Sequence, residues 1–275
     1  MQATIRILER IPASLTDIPG SPGRLYCRGT LPGGPFIAVV GTRKPTAYGR
    51  RIAGTIAGRL ARAGAVVVSG LAFGIDAIAH QACLDAGGKS VAILPSGLND
   101  ADIAPRTNLG LARRILEQGA LLSEYPEGSS ARKEHYEDRN RLISGLAEAV
   151  VVVEAGRPSG TLITARHAGD QGREVWAVPG PIDSFQSKGT NWLIEVGAEP
   201  LFSVDAFMES RGLAHTRQPR LGESRLAALF DGGSYHIDEI AARLGRSTSE
   251  LESELTKLEL TGVVRHLGGR RYTLT

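Results

Sequence analysis

Short apolar runs alternate with helix-like segments through most of this chain. The runs are apolar at nearly every position and rich in β-branched residues, as are strands buried on both faces of a parallel sheet. In order they read FIAVV, AVVVS, SVAIL, ALLSE, AVVVVE and EVWAVP. Helical spacing separates most of them, so residues 36–210 are predicted to form an α/β domain with a Rossmann-like, doubly wound, mostly parallel sheet.

The pattern changes at both ends of that domain. Residues 1–35 hold turn signals and little periodicity, and are predicted to be an N-terminal arm laid on the domain. Residues 211–221, rich in Gly, Pro and Arg, are predicted to be a linker. Residues 222–275 are predicted to be a winged-helix domain, because three helical segments precede a hairpin that turns at Gly268 and Gly269.

Composition and charge add only mild constraints. The chain has 275 residues and a net charge of +3, which permits a nucleic-acid partner without requiring one. Five of the 32 basic residues are lysines; the arginine excess suits phosphate contacts, but a codon bias is the preferred explanation. Cys27 and Cys83 form neither a metal motif nor a disulfide framework. Without an apolar run typical of a signal peptide or a membrane span, the protein is expected to be cytoplasmic.

Ligands of open α/β sheets bind beyond the carboxyl ends of the strands, so the residues that follow each run are the first candidates. The first run is followed by Gly41, Thr42 and Arg43. Gly41 lets the backbone approach a ligand closely, Thr42 offers a hydroxyl, and Arg43 offers a planar, charged guanidinium. The next residues begin a helix, whose N-terminus attracts anions. The turn is neither a G-x-G-x-x-G fingerprint nor a P-loop, although its layout favours phosphate binding.

The second run ends at Ser69 and Gly70, where a hydroxyl and an open backbone could contact a phosphate. Asp76 and His80 follow, four residues apart on one helical face. A metal pair would need a third ligand with suitable spacing, and none is evident. A hydrogen bond between Asp76 and His80 that packs the helix is therefore the preferred interpretation.

Two later segments complete the predicted site. Lys133 and Tyr136 are placed in a loop, before a helix that Arg139 and Asn140 open. A cation beside an exposed aromatic ring is the pairing that grips a single strand, with phosphate on the cation and base on the ring. After the fifth run, a further helix N-terminus faces the same edge, and its first residues are Ser159, Gly160 and Thr161.

Several anion-binding turns on one edge suit an extended phosphodiester better than one small nucleotide. They supply no nucleophile–base pair, paired carboxylates or metal cluster, so no catalysis and no cofactor are expected. One alternative is a Rossmann-type nucleotide phosphoribohydrolase, which PSGTLIT echoes in part but without the glutamate that such enzymes use. A second alternative is a transcriptional regulator with a winged-helix reader.

The charges of the tail argue against that regulator. Ser247 and Glu250 have capping-box spacing at the start of the third helix. That helix normally reads DNA, yet it carries four glutamates against the single Lys257, which would repel phosphates. The wing could still touch a DNA backbone through Arg265, Arg270 and Arg271. The tail is therefore predicted to assist a partner or duplex contact rather than to read sequence.

Six blocks, in order, resemble the signature of the DNA-processing protein family called DprA or Smf. They are VGTRKPTAYG, SGLAFGIDAIAH, LLSEYPEG, RNRLISGLAEAVVVVEA, SGTLITARHAGDQGREVWAVPGPID and GTNWLIEVGA, and they span about residues 36–205. The winged-helix tail matches the common domain order of that family. Three departures stand out: residues 1–35 are too short for the family's N-terminal helical domain, Tyr136-Glu137 replaces an aromatic–proline pair, and Ala104-Pro105 replaces a Tyr-Pro.

The resemblance implies an extended Rossmann domain that binds single-stranded DNA and loads the RecA recombinase onto it during natural transformation. It also implies a homodimer without a cofactor and without established catalysis. The family's strand-contacting positions carry over to the first turn, to Ser69 and Gly70, and to Lys133 and Tyr136.

Overall fold

The computed structural model describes residues 4–213, 234–260 and 264–274. The chain divides into two compact units, Met1–Thr216 and Arg217–Thr275, which are described separately. Most of the predicted linker, and the first predicted helix of the tail at residues 223–233, lie outside the described residues.

A nine-stranded sheet in the order β1-β2-β6-β5-β4-β3-β7-β8-β9 forms the centre of the first unit. From β6 to β9 every neighbouring pair is parallel, whereas β1 and β2 add an antiparallel edge. The predicted fold class and all six predicted strands are confirmed. The strands are β1 (Ile5–Ile7), β2 (Tyr26–Gly29), β3 (Phe36–Val40), β4 (Val66–Ser69), β5 (Ser90–Ile93), β6 (Ala120–Ser123), β7 (Ala149–Val152), β8 (Glu174–Ala177) and β9 (Glu199–Pro200).

Helices cover both faces of this sheet, which explains why the central strands are apolar throughout. Along β3, Ala38 and Val40 pack into one core while Ile37 and Val39 pack into the other. The alternation follows from the two-residue period of a strand. The helices are α1 (Ala13–Thr16), α2 (Ala47–Arg62), α3 (Ile75–Asp85), α4 (Leu109–Gln118), α5 (Lys133–Leu146), α6 (Gly160–Asp170), α7 (Lys188–Glu195) and α8 (Val204–Ser210).

The N-terminal segment extends the sheet through two strands that the hydrophobic pattern does not predict. β2 pairs antiparallel with β6, and β1 pairs antiparallel with β2. Arg28 lies in the middle of β2, where its buried guanidinium donates to Asp100 at 2.6 Å and to the Leu98 carbonyl at 3.0 Å. A buried, paired arginine interrupts the apolar pattern that marks the other strands.

The second unit contains a three-stranded sheet in the order β10-β12-β11 and two described helices. As predicted, apolar residues spaced along the helices form its core, and Ser247 and Glu250 form a capping box, with each backbone N–H donating to the other side chain at 3.3–3.4 Å. The elements are β10 (Tyr235–His236), α9 (Ile237–Leu244), α10 (Thr248–Leu260), β11 (Val264–Gly268) and β12 (Arg271–Leu274).

Candidate nucleic-acid interface

A cavity of about 730 Å³ opens beside the carboxyl end of β3. At this point the strand order changes direction, because β4 lies on one side of β3 and β7 on the other. Ligands of doubly wound sheets bind at such switch points. The cavity lining includes every predicted site residue except Ser69 and Gly70, namely Gly41, Thr42, Arg43, Lys133, Tyr136, Arg139, Asn140, Ser159, Gly160 and Thr161.

The turn after β3 is packed tightly against the start of α3. A Cβ at Gly41 would lie 2.6 Å from the Ile75 Cγ1 atom, and one at Gly74 would overlap the Thr42 carbonyl. Gly74 also has φ +79°, which a residue with a side chain rarely adopts. The Thr42 hydroxyl accepts from the Lys44 N–H at 3.2 Å, so it also braces the turn. The backbone that presents Arg43 is therefore held rigidly.

Arg43 is exposed, and its guanidinium lies 5.0 Å from the centroid of the Tyr136 ring. A planar cation over an aromatic face is a favourable contact that leaves guanidinium N–H groups available for a phosphate. The structure thus brings together a cation and a ring that are 93 positions apart in the sequence, from Arg43 to Tyr136. This pair offers the two chemistries that single strands need, charge and stacking.

Lys133 and Tyr136 lie in α5 rather than in a loop, so the predicted helix start is wrong. α5 begins at Lys133, six positions before Arg139. The added segment, KEHYED, lacks an apolar period, and the sequence therefore gives no helical signal there. Because of the helix, Lys133, Tyr136 and Asn140 share one face at i, i+3 and i+7 spacing, and all three line the cavity.

Arg139 forms part of the cavity wall and is only 4% exposed. Its guanidinium donates to the Gly70 carbonyl at 2.7 Å and also to the Ile93 carbonyl. Burial lowers the pKa of Arg139 to about 10, and the nearby Asp76 carboxylate opposes that shift. Burial raises the pKa of Asp76, against the influence of Arg139. The two buried charges therefore stabilise each other.

Ser69 and Gly70 are buried beneath this wall. The Ser69 hydroxyl donates to the Val39 carbonyl at 2.7 Å, and the Gly70 N–H donates to Asp76 at 3.1 Å. Their polar groups thus fix the turn after β4 instead of lining the cavity. The predicted hydrogen bond between Asp76 and His80 is wrong, because the His80 Nδ1 atom pairs with the Ser90 hydroxyl at 2.7 Å.

A carboxylate that the sequence reading does not single out occupies the N-terminus of α2. Glu154 is 2% exposed, and its side chain accepts from the Thr46 N–H at 2.9 Å and from the Thr46 hydroxyl at 2.5 Å. Its backbone carbonyl accepts from the Thr42 N–H at 2.7 Å. The anion attraction expected at this helix end is therefore met by the protein's own glutamate.

Replacing Gly49 with alanine tests this arrangement, because a Cβ there would overlap the Glu154 carboxylate. We expect the free energy of unfolding to fall by about 1–3 kcal/mol. In a Glu154→Ala background the same replacement should be neutral or stabilising, since the space is free and alanine favours a helix by about 1 kcal/mol over glycine. Urea unfolding of the unmodified protein, the two single variants and the double variant measures the coupling between the two replacements. If their effects on stability simply add, the close approach of Gly49 and Glu154 is contradicted.

The start of α6 is open to the cavity. Ser159 is its N-cap residue but makes no side-chain capping bond, and its hydroxyl oxygen is buried without a hydrogen-bond partner within the described part of the chain. Gly160 is exposed, and its carbonyl accepts from the Asn140 side chain at 3.4 Å. Free N–H groups at a helix start bind anions, so this position suits a phosphate.

The cavity lining carries more positive than negative charge. Its cations are Arg43, Arg132, Lys133 and Arg139, and its acids are Asp76 and Glu137. Asp76 is buried beside Arg139, which leaves Glu137 as the exposed acid of this set. In the described ranges, no three His, Cys, Asp or Glu residues could hold a metal ion, and no helix is long and apolar enough to cross a membrane.

The second unit has its charges largely engaged with each other. Among the α10 glutamates, Glu252 pairs with Arg270 and Glu254 pairs with Arg246 at 2.6 Å. On the wing, Arg271 donates to the Ser234 carbonyl at 3.0 Å. The acidic face of α10 is thus partly neutralised by Arg246 and by Arg270, one of the three wing arginines predicted to touch a DNA backbone.

Family models match both units. Residues 3–212 match the model for DNA recombination-mediator protein A, and residues 216–270 match the DprA winged helix domain. Protein Smf of Escherichia coli is 37% identical over 95% of this chain and 74% of its own length. DNA processing protein DprA of Bacillus subtilis is 40% identical over 73% of this chain and 68% of its own length.

Two solved structures resemble the fold closely. One is DNA processing protein A of Helicobacter pylori, described for its unique single-stranded DNA binding mode; it is 32% identical with a TM-score of 0.70, over 77% of this chain and 98% of its own. The other is DprA of Streptococcus pneumoniae, 34% identical with a TM-score of 0.69, over 75% of this chain and 74% of its own.

Proposed function

Because this chain belongs to the family of DNA recombination-mediator protein A, also named DprA or Smf, we propose that it binds single-stranded DNA without sequence preference and loads the RecA recombinase onto it. Named relatives are DNA processing proteins, and one is described for binding single-stranded DNA. The predicted site residues Gly41, Thr42, Arg43, Lys133, Tyr136, Asn140, Ser159, Gly160 and Thr161 are proposed as the contacts.

The observation that carries this proposal is the Arg43–Tyr136 pair at the mouth of the cavity. Arg43 binds a phosphate through its free N–H groups, while the ring of Tyr136 stacks on the adjacent base. Lys133, one helical turn before Tyr136, is exposed and binds the next phosphate. Every base has a π-face and every nucleotide a phosphate, so such contacts do not discriminate sequence.

Ser69, Gly70 and Arg139 contribute indirectly in this proposal. Arg139 lies within 5.9 Å of the Tyr136 ring centroid and donates to the carbonyl of Gly70. These buried groups fix the ring and the neighbouring turn in the position that a strand meets. A preformed site binds more tightly, because fewer side chains lose freedom on binding.

The proposed setting follows from the family. We propose that the protein acts in the cytoplasm as a homodimer during natural transformation, protects incoming single strands, and transfers them to RecA. The winged-helix unit assists a partner or duplex contact. We propose no catalytic step, since the cavity groups are suited to hold a polyanion.

The decisive experiment is a gel shift with single-stranded and duplex DNA of the same sequence, each with and without RecA. We expect a shift of the single strand at concentrations that leave the duplex free, and a faster assembly of RecA on strands coated with a single-strand binding protein. Equal affinity for both DNA forms would overturn the binding proposal. Unchanged RecA assembly would overturn the loading proposal alone.

A further inference from the structure

A second aromatic side chain lies exposed at the same edge of the sheet, on the side of β7. Phe185 belongs to the short 3-10 turn Phe185–Ser187, in the loop between β8 and α7, and is 57% exposed. Its ring lies against Gly156, in the segment that follows β7, and β7 is the neighbour of β3 in the sheet. Phe185 is therefore within reach of the following nucleotides of a strand bound at the Arg43 turn.

The ring is seated on the backbone rather than hanging free. A Cβ at Gly156 would lie 2.5 Å from the Phe185 Cε1 atom, so the ring covers the position where a side chain would be. The Ala155 N–H donates to the Gln186 carbonyl at 2.8 Å, and the Gly189 N–H donates to the Ala155 carbonyl at 2.7 Å. An exposed aromatic face held by such contacts loses little freedom when a base stacks on it.

Hydrogen bonding also joins this turn to the Arg43 turn. The Gln186 side chain donates to the Lys44 carbonyl at 3.0 Å. Lys44 follows Arg43 in sequence and is exposed, so this bond places an exposed lysine of the first turn next to the turn that carries Phe185. The two turns are therefore neighbours, and together they form one continuous surface for a strand.

One lysine lies near the ring, and a second lies in the adjoining turn. The Lys188 ammonium lies 6.0 Å from the Phe185 ring centroid, and neither Lys44 nor Lys188 forms an ion pair with another described residue. Asp183 is the one acid between residues 178 and 188. Unpaired lysines around an aromatic face give the same charge and stacking chemistry as the cavity itself.

We propose that Lys44, Phe185 and Lys188 form a second stacking site, which binds the single strand where it leaves the cavity. A base stacks on the exposed face of Phe185, and the two lysines bind the phosphates on either side of it. This inference rests on the proposed single-strand binding and extends it. It gives the strand a path along the edge, from the end of β3 to the segment that follows β7.

The test compares oligo-dT of about 6 nucleotides, which fills the cavity alone, with oligo-dT of about 20 nucleotides, which reaches both sites. Phe185→Leu keeps the apolar contact with Gly156 but removes the ring. We expect it to weaken binding of the long strand roughly five-fold or more, and binding of the short strand less than about two-fold. Phe185→Tyr, which keeps the ring, should bind both strands as the unmodified protein does.

A matched control is Phe73→Leu, because Phe73 is also an exposed aromatic, 49% exposed, in the loop after β4 on the opposite flank. It should leave both affinities unchanged. Long strands that lack bases give a further check, since Phe185→Leu should not affect their binding. Binding of the long strand should also depend less on salt in Lys44→Ala and in Lys188→Ala. In each variant the slope of the logarithm of the affinity against the logarithm of the salt concentration should be smaller in magnitude by about 0.7.

The outcomes separate this proposal from the one on which it rests. If the unmodified protein fails to bind either strand, the proposed function fails and the second site fails with it. If that protein binds both, and Phe185→Leu binds both strands normally or weakens both equally, only the second site is overturned. A length-dependent loss in Phe73→Leu without one in Phe185→Leu would also overturn it, since the strand would then leave towards β4.

Discussion

Replacing Arg43 with alanine is expected to weaken binding of oligo-dT about 10- to 100-fold. The replacement removes a charge-assisted contact with a phosphate, worth about 1.5–3 kcal/mol, and 1.4 kcal/mol corresponds to a factor of ten. It also removes the cation beside Tyr136, 5.0 Å from the ring centroid, and so loosens the stacking position. Fluorescence anisotropy with a labelled oligo-dT measures the affinity at several salt concentrations.

The salt dependence distinguishes the loss of a phosphate contact from general damage. With one phosphate contact fewer, the slope of the logarithm of the affinity against the logarithm of the salt concentration should be smaller in magnitude by about 0.7. Arg43→Lys should keep the slope but not the full affinity, because a lysine retains the charge without the planar fork. Arg114→Ala is the matched control, since Arg114 is a partly exposed arginine paired with Asp85 on the surface. An unchanged slope for Arg43→Ala would contradict the assignment.

The fold was predictable because its signal is local. Most of the buried parallel strands are short runs rich in β-branched residues, and most of the helices that follow them have an apolar period. The edge strands β1 and β2 escape this logic, since β1 is three residues long and β2 holds Arg28. Their strand character depends on pairing with β6, far along the chain, and on the Asp100 carboxylate that satisfies the arginine.

The position of the site was predictable for a different reason. Parallel strands end at one edge, so the residues that follow them converge whatever the details of the loops. Which of them point into the cavity is a matter of pairing over long sequence distances. Glu154 meets Thr46 across 108 positions, and Arg139 meets Gly70 across 69. Such partners have no spacing signature, so the sequence predicts neither the contact of Glu154 with Thr46 nor the burial of Ser69, which is predicted to contact a phosphate.

The exposed polar groups of the site have a different role from the buried ones. Arg43 and Lys133 are exposed and free to meet a polyanion, while Glu154 and Arg139 are buried and bind the backbone that presents them. The exposed groups should therefore affect affinity with little effect on folding. The buried groups should affect the stability of the fold more than the affinity for DNA. Replacing one of them tests this expectation.

Replacing Arg139 with methionine is expected to lower the free energy of unfolding by about 3–5 kcal/mol. It leaves the buried Asp76 carboxylate without its cation, and the carbonyls of Gly70 and Ile93 without a donor. The intrinsic fluorescence of the protein is a suitable probe, because both tryptophans, Trp176 and Trp192, lie in the first unit. Urea unfolding followed by this signal reports the stability of that unit.

The pH dependence of this loss identifies Asp76 as its source. Burial raises the pKa of folded Asp76, and removing Arg139 raises it further. A carboxyl group whose folded pKa exceeds its unfolded value of about 4 binds more protons when folded. Stability therefore falls as pH rises through the interval between the two values. The deficit of Arg139→Met should be smaller at about pH 5 than at about pH 7.5.

An added Asp76→Asn replacement removes the titrating group and provides the control. Compared with the Asp76→Asn single variant, the double variant should show a deficit that is the same at both pH values, since neither protein carries the titrating group. At the higher pH this deficit should be smaller than that of Arg139→Met against the unmodified protein, because no buried carboxylate is left unpaired. A deficit of Arg139→Met that does not change with pH would contradict the coupling and would place the cost in the lost carbonyl contacts alone. In that case Arg139 would hold the turn after β4 purely through hydrogen bonds, and Asp76 would owe its ionisation to the Gly70 N–H.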